Sequence, residues 1–183
     1  MNQEFNPSDA NLTKGRNFSA FAYSDYRIFW FGITLAYLGY WTQVLAQGWL
    51  ILRLTDSALM VGLIAATAAL PLFLFSLIGG AIGDSLNRRY IVAINWTLTS
   101  LLMILMAYLL FADMAKVWHV FGIVFLTATF QALGTPARQA LIPELVPQAN
   151  IMSAVSLWSG SFHIARTIGP IIAAFLVRDF GES

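Results

Sequence analysis

The residues most suited to chemistry form a polar stripe inside a long apolar stretch near the C-terminal end of the sequence. Ser159, His163, Arg166 and Pro170 follow one another at intervals of four, three and four residues, which places them on one face of an α-helix. A guanidinium inside a membrane costs about 2.5–3.5 kcal/mol on insertion scales, so it should face protein or water. The stripe is therefore either a cavity face for a polar or anionic substrate, with His163 as a candidate proton carrier, or a helix-packing surface.

The composition excludes a soluble enzyme. Of 183 residues, 58% are hydrophobic and 10% are charged, against about 25% charged residues in ordinary globular chains. A net charge of +1 excludes a strongly basic nucleic-acid-binding surface. The sequence has no cysteine and two histidines, which disfavours a metal centre, and it has no nucleophile–base pair and no phosphate-binding glycine loop. We predict no catalytic residues, no metal site, no cofactor and no nucleic-acid partner.

The charged residues separate long apolar stretches, and each stretch is long enough to cross a bilayer. A spanning helix needs about 20 apolar residues, whereas the strands of a membrane barrel alternate in polarity over about 10 residues. These stretches are apolar on every side, so we predict an all-α, polytopic transmembrane helix bundle. The five predicted spans cover approximately residues 28–52, 57–83, 90–112, 117–137 and 151–177, after a polar cytoplasmic tail over residues 1–26.

The distribution of basic residues predicts the orientation in the membrane. A cytoplasmic N-terminus places on the cytoplasmic side Lys14, Arg16, Arg27, Arg88, Arg89 and Arg138, and on the other side Arg53, Lys116 and Arg178. The excess of positive charge favours this orientation, in a multi-pass protein of the cytoplasmic (inner) membrane. Tyr26 and Trp30 are expected to be interfacial aromatic anchors. Residues 17–26 are expected either to lie along the interface or to form a disordered tail.

The turn after the second span reads GGAIGDSLNRR over residues 79–89. It resembles the signature loop of the major facilitator superfamily, G-x-x-x-D-R-x-G-R-R/K, with Gly80, Asp84, Arg88 and Arg89 at matching positions. A serine and an asparagine stand where the family carries its other Arg and Gly. The asparagine, Asn87, tolerates the left-handed conformation that a tight reversal needs.

The resemblance extends along most of the chain. The segments YRIFWFG, QGWLILRLTDSALMVGL and TPARQALIPELVP look like the drug-antiporter branch that includes enterobactin-exporter-like proteins. In the fifth span, Gly169 and Pro170 match the antiporter motif of that helix. Small residues four apart, Ala165, Gly169 and Ala173, favour close helix packing, and Pro170 favours a kink.

The resemblance implies the fold and the transport function. Such transporters have two six-helix lobes with the substrate held between them near the midplane, and residues 27–183 resemble helices 1–5 of the N-terminal lobe. We therefore expect the N-terminal fragment of a secondary active exporter that moves a small amphipathic molecule, a drug or a siderophore, by alternating access. Its expected partners are the lipid bilayer, the small-molecule substrate and the missing C-terminal lobe. No cofactor is expected, and an ion gradient, a proton gradient before any other, is expected to drive transport.

In the major facilitator superfamily, which this chain resembles, the first and fourth helices line the cavity. The polar residues of these spans are therefore the candidates for the substrate or proton pathway, beside the stripe on the fifth span: Tyr40, Gln43, Gln47, Thr127 and Gln131. Hydrogen bonding between helices, worth about 0.6 kcal/mol per bond on average, is the alternative role. Asn95 and Thr99 in the third span are predicted to serve packing.

Two alternatives to the exporter fragment remain open. The chain could be a short membrane protein that binds or scaffolds a partner, or a half-transporter that acts as an oligomer. The five spans contain no interior Asp or Glu, whereas proton-coupled transporters usually carry a titratable group in the pathway. Either His163 serves this purpose, or the carboxylate lies in the missing half, or the coupling works in another way.

Overall fold

A computed structural model describes the backbone of residues 18–85 and 87–180, and the side chains of residues 18–75 and 87–178. Five long helices account for nearly all of this part of the chain: α1 (Ser24–Thr55), α2 (Ala58–Ser85), α3 (Arg88–Phe111), α4 (Val117–Leu141) and α5 (Ile151–Phe180). All five contain a stretch long and apolar enough to cross a membrane. Large apolar side chains are exposed on these helices, including Phe73 at 81% and Phe111 at 94%. Such an outer surface suits hydrocarbon and not water, and the predicted five-span all-α bundle is confirmed.

Polar residues end the helices at short reversals. Asp56 and Asp113 adopt left-handed conformations, with φ of 47° and 55°, after α1 and α3, and Asp and Asn tolerate this region better than most residues. Asn87 does not: its φ is −63°, and its side chain caps α3 by accepting a hydrogen bond from the backbone N–H of Arg89 at 3.0 Å. Asn87 therefore does not use the left-handed conformation that it could tolerate, because an N-cap residue takes extended backbone angles.

The chain folds into two compact units, and α1 belongs to both. Residues 44–141 form one of them, in which α4 packs against α2 and α3. Its core contains Ile51, Ile64, Met106, Val120 and Ile123. Because α4 has neighbours on two sides, it carries more buried residues than α3, and these include polar ones.

The other described unit consists of residues 18–43 and 142–180, in which the first part of α1 packs on α5. A stripe of small residues on α5 is buried, namely Ser161, Ala165, Gly169 and Ala173. A Cβ atom at Gly169 would lie 2.6 Å from the Cβ of Trp41 and 2.9 Å from the backbone nitrogen of Thr42. The Thr42 hydroxyl donates a hydrogen bond to the Gly169 carbonyl at 3.1 Å. The predicted close packing of this small-residue face is therefore observed.

The segment before α1 is folded against the start of α5. A short 3-10 helix, Ser19–Ala22, precedes α1, and Tyr26 is fully buried, with its hydroxyl donating to the Ala154 carbonyl at 2.7 Å. The Trp30 indole donates to the Leu157 carbonyl at 3.1 Å. The expectation that Tyr26 is an interfacial anchor is wrong, because its ring is fully buried and its hydroxyl bonds an α5 carbonyl inside the protein. Trp30 is half-buried, and its anchor role stays a prediction.

The connection between α4 and α5 is shorter than expected. Pro136 lies inside α4, which continues to Leu141 instead of ending near residue 137. Two 3-10 helices follow, Ile142–Leu145 and Gln148–Asn150. Arg138 therefore belongs to the last turn of α4, where it is buried.

The contact at Gly169 generates a stability prediction. We expect Gly169→Ala to lower the free energy of unfolding by about 1–3 kcal/mol, because the new methyl group overlaps the backbone of α1 and the helices must move apart. Thermal unfolding of the purified protein in detergent measures the change. Gly160→Ala on the same helix is the matched control, since nothing lies within 4 Å of a Cβ there. Equal melting temperatures for the two variants would contradict the close contact.

Candidate functional site

Arg166 lies in the interior of α5 and stacks on an aromatic ring of α1. Its guanidinium carbon is 5.3 Å from the centroid of the Trp41 ring, within the range of a cation–π interaction. The Arg166 side chain is otherwise exposed. The small neighbours Ala165 and Gly169 bring α1 close enough for this contact, because they add no bulk between the two helices.

An aromatic cluster surrounds the contact between α1 and α5. The Phe162 ring lies edge-on to Tyr37 at 5.2 Å and is 5.8 Å from Trp41, and Tyr40 lies 5.5 Å from Trp41. The Trp158 indole donates a hydrogen bond to the Tyr37 hydroxyl at 3.0 Å. The cluster offers flat apolar surface beside one cation, a combination that suits a molecule with an aromatic or apolar body and a negative group.

The remaining members of the predicted stripes lie around this cluster with varied exposure. His163 is exposed and its ring approaches Phe162 at 5.5 Å. Ser159, Tyr40 and Gln43 are half-buried. In the part of the chain that the structure describes, His163 and Arg166 share no hydrogen bond. The pathway role of these side chains therefore stays a prediction.

A second polar cluster lies on α4, in the unit formed by residues 44–141. Arg138 is 4% exposed, and its Nη2 donates to the Gln131 side-chain oxygen at 3.1 Å and to the Thr135 hydroxyl at 2.8 Å. Its guanidinium carbon is 5.2 Å from the centroid of the Trp96 ring on α3. Gln131 therefore contacts a buried cation, Arg138, which lies just outside the predicted fourth span of residues 117–137. The intervals of four and three residues from Gln131 through Thr135 to Arg138 were the available signal, and Pro136 obscured it.

The other predicted residues of this unit lie in helix interfaces. Asn95 donates from its side-chain nitrogen to the Phe130 carbonyl of α4 and fills the space beside Gly134. Gln47 and Thr127 are 8% and 3% exposed, so neither side chain faces an open surface of this unit. The packing role predicted for Asn95 is confirmed, since its hydrogen bond joins α3 to α4.

The signature loop is described in part. Gly80 and Asp84 belong to the last turns of α2, and their side chains lie outside the described residues. Arg88 is half-buried and Arg89 is exposed in the first turn of α3. The gating role of the loop stays a prediction.

Five helices that are long and apolar enough to cross a membrane, with polar clusters between them, are typical of a multi-pass membrane protein. A family model described as "Transmembrane secretion effector" matches residues 16–183. The chain therefore belongs to this family of major facilitator transporters, a family of transport proteins and not of enzymes.

Curated relatives agree with this assignment. The chain is 29% identical to the staphyloferrin A transporter of Staphylococcus aureus over 78% of its own length and 36% of the relative. It is 29% identical to the multidrug efflux pump Tap of Mycolicibacterium fortuitum, over 75% of its length and 35% of the relative. The uncharacterized MFS-type transporter YfiS of Bacillus subtilis is 26% identical over 80% of this chain and 34% of the relative. The chain spans about a third of the length of these relatives, and no solved structure matches it at a significant level.

The Arg138 cluster predicts that lysine cannot replace this arginine. A planar guanidinium stacks on Trp96 while its Nη2 bonds Gln131 and Thr135, whereas an ammonium group has no flat face to stack and ends one bond short of the Nη2 position. We expect Arg138→Lys to lower the free energy of unfolding by about 1.5–3 kcal/mol, the contribution of hydrogen bonds to a charged group. Thermal unfolding in detergent provides the measurement.

The control for Arg138→Lys is Gln139→Ala at the next, exposed position. A surface substitution of this kind should change the free energy by no more than about 0.5 kcal/mol. If Arg138→Lys proved as stable as the control, the guanidinium's stacking on Trp96 and its Nη2 bonds would contribute nothing to stability.

Proposed function

We propose that the protein containing this chain exports a small amphipathic molecule, a drug or a siderophore, across the cytoplasmic membrane by alternating access. Two of the relatives, the staphyloferrin A transporter and the multidrug efflux pump Tap, are named for cargo of this class, and this supports the proposal. The observation that carries the proposal is the Arg166–Trp41 contact within an aromatic cluster on two membrane helices. A cation on apolar rings suits a cargo that is apolar over most of its surface and polar at one end.

The proposal includes the arrangement of the whole protein. A second lobe completes the cavity, the N-terminus is cytoplasmic, and an ion gradient, a proton gradient before any other, drives the cycle without a cofactor. The family's two-lobe architecture places substrate near the midplane, and Arg166 lies near the middle of α5. The exposed polar side chains beside it, including His163, then face water or the second lobe and not lipid.

Pro170 supports a conformational role for α5. Proline has no N–H group, so the carbonyl of Arg166, four residues earlier, loses its helical partner. Gly169 beside it lies directly against the backbone of α1. A helix weakened next to such a close contact bends there more easily than elsewhere, and rocking of helices about a central site is what alternating access requires.

The proposed function predicts dye transport that depends on Trp41. In everted membrane vesicles containing the protein, we expect energised accumulation of an amphipathic fluorescent dye that stops when a protonophore is added. Trp41→Ala should lower the initial rate at least about tenfold, since stacking and burial on an indole contribute more than about 1.4 kcal/mol. The fluorescence of accumulated dye gives the rate.

Trp118→Ala is the matched control for this experiment. Trp118 is 67% exposed at the start of α4 and makes no contact with the rings of the aromatic cluster, and its loss should leave transport unchanged. The amount of folded protein is measured for each variant by size-exclusion chromatography in detergent. Accumulation equal to that of vesicles without the protein would reject export and favour a scaffold or partner-binding role.

A further inference from the structure

We propose that Arg166 binds the negatively charged group of the transported molecule, so that the cargo class is amphipathic organic anions, carboxylates above all. This inference rests on the proposed export function and specifies its substrate. It depends on the position of Arg166 within α5, on its stacking against the Trp41 ring, and on the guanidinium N–H groups that this stacking leaves without an acceptor.

The position of Arg166 sets it apart from the other stacked arginines. Arg53 lies 5.3 Å from the Trp49 ring and Arg178 lies 5.4 Å from the Phe175 ring, but both belong to the last turn of a helix. From a helix end, a long side chain reaches the headgroups and keeps its charge in water. Arg166 is separated from both ends of α5 by several turns, so water or an anion must come to it.

The partner of Arg166 satisfies only one face of the guanidinium. A cation–π contact uses the flat face of the group, while its five N–H donors point outward around the edge. Among the described side chains, those of residues 18–75 and 87–178, no carboxylate or other acceptor lies within hydrogen-bonding distance of these donors. The contrast is Arg138, which is buried and donates to two side-chain oxygens.

The unused donors determine the chemistry of the ligand. A guanidinium edge matches the two oxygens of a carboxylate with a pair of parallel hydrogen bonds, and such charge-assisted bonds are roughly twice as strong as neutral ones. The Trp41 ring holds the guanidinium in place, so less side-chain freedom is lost on binding. The rings of Phe162, Tyr37 and Tyr40 continue from Trp41 and supply the surface for the apolar body of the same molecule.

The test compares two dyes that share one ring system and differ in charge. Fluorescein carries a carboxylate and is an anion, whereas rhodamine 123 has the same xanthene frame, a methyl ester in place of the carboxylate, and a positive charge. Initial rates of both dyes are measured in everted vesicles containing the full-length protein. We expect Arg166→Gln to lower fluorescein transport at least tenfold through a higher KM and to leave rhodamine 123 transport unchanged, and Arg166→Lys to restore part of the fluorescein transport.

Arg53→Gln is the matched control, because it removes an arginine stacked on a tryptophan at the same 5.3 Å distance but at a helix end. It should transport both dyes as the wild type does. A second measurement needs no variant: fluorescein should raise the melting temperature of the wild-type protein in detergent, since a ligand that binds only the folded state stabilises it, and rhodamine 123 should raise it less.

Each other outcome overturns the inference in a recognisable way. Equal loss of both dyes in Arg166→Gln, at wild-type levels of folded protein, would mean that Arg166 pairs with another part of the protein. Wild-type transport of rhodamine 123 without fluorescein would leave the export function standing and reject anion selection. Transport of neither dye would reject the export function, and the inference with it.

Discussion

The hydrocarbon core of a bilayer offers no hydrogen bonds, so a polar group of this chain that would face lipid must find its partner within the protein. The backbone meets this constraint by forming five helices, whose backbone bonds are internal. Most of the described threonine hydroxyls meet it by donating to the carbonyl four residues earlier on their own helix, as do Thr34, Thr55, Thr67, Thr97, Thr129, Thr135 and Thr167. The single Thr42 proton is shared between the Leu38 carbonyl and the Gly169 carbonyl of α5. Side chains that are too polar for this solution, such as Asn95 and Arg138, bond or stack across to another helix or along their own. Arg166 stands apart because α1 offers it an aromatic face, whereas its donors have no partner among the described side chains.

Helix packing without a hydrophobic driving force depends on close contact between backbones. In the unit that contains α5, Gly169 allows the backbone of α1 to approach so closely that the Thr42 hydroxyl reaches a carbonyl of α5. In the unit that contains α4, Gly134 makes room for the Asn95 side chain. Both contacts combine a glycine with a polar group, so that one feature provides shape and the other provides a hydrogen bond. The same contact at Gly169 lies next to Pro170, and tight packing and helix weakness therefore meet at one place on α5.

Much of the fold followed from simple patterns, and the candidate site followed less completely. Uncharged stretches of sufficient length located four of the five helices, and a long apolar stretch that contains Arg166 located the fifth, because length and apolarity are what a bilayer selects. Helix ends were less accurate: the fourth span was predicted to end near residue 137, yet α4 continues to Leu141, since surrounding contacts sustain a helix through Pro136, which costs it one hydrogen bond. That error left Arg138 outside the helix and concealed its bonds to Gln131 and Thr135. Periodicity grouped Ser159, His163 and Arg166 on one face of α5, but it carried no information about Trp41, which lies on a different helix far away in sequence.

The sequence by itself determined the class of the protein, the number of its membrane helices and the family to which it belongs, because these depend on composition, on the spacing of charges and on local motifs. The tertiary structure alone decided which side chains meet. It buried Tyr26, an expected membrane anchor, as a donor to an α5 carbonyl, it gave Arg138 its partners, and it stacked Arg166 on the ring of Trp41. The physical reason is that partner choice depends on which helices pack together and in what register. Two helices that are equally apolar look alike in sequence, and only their small residues and polar groups, fitted together in space, select one arrangement.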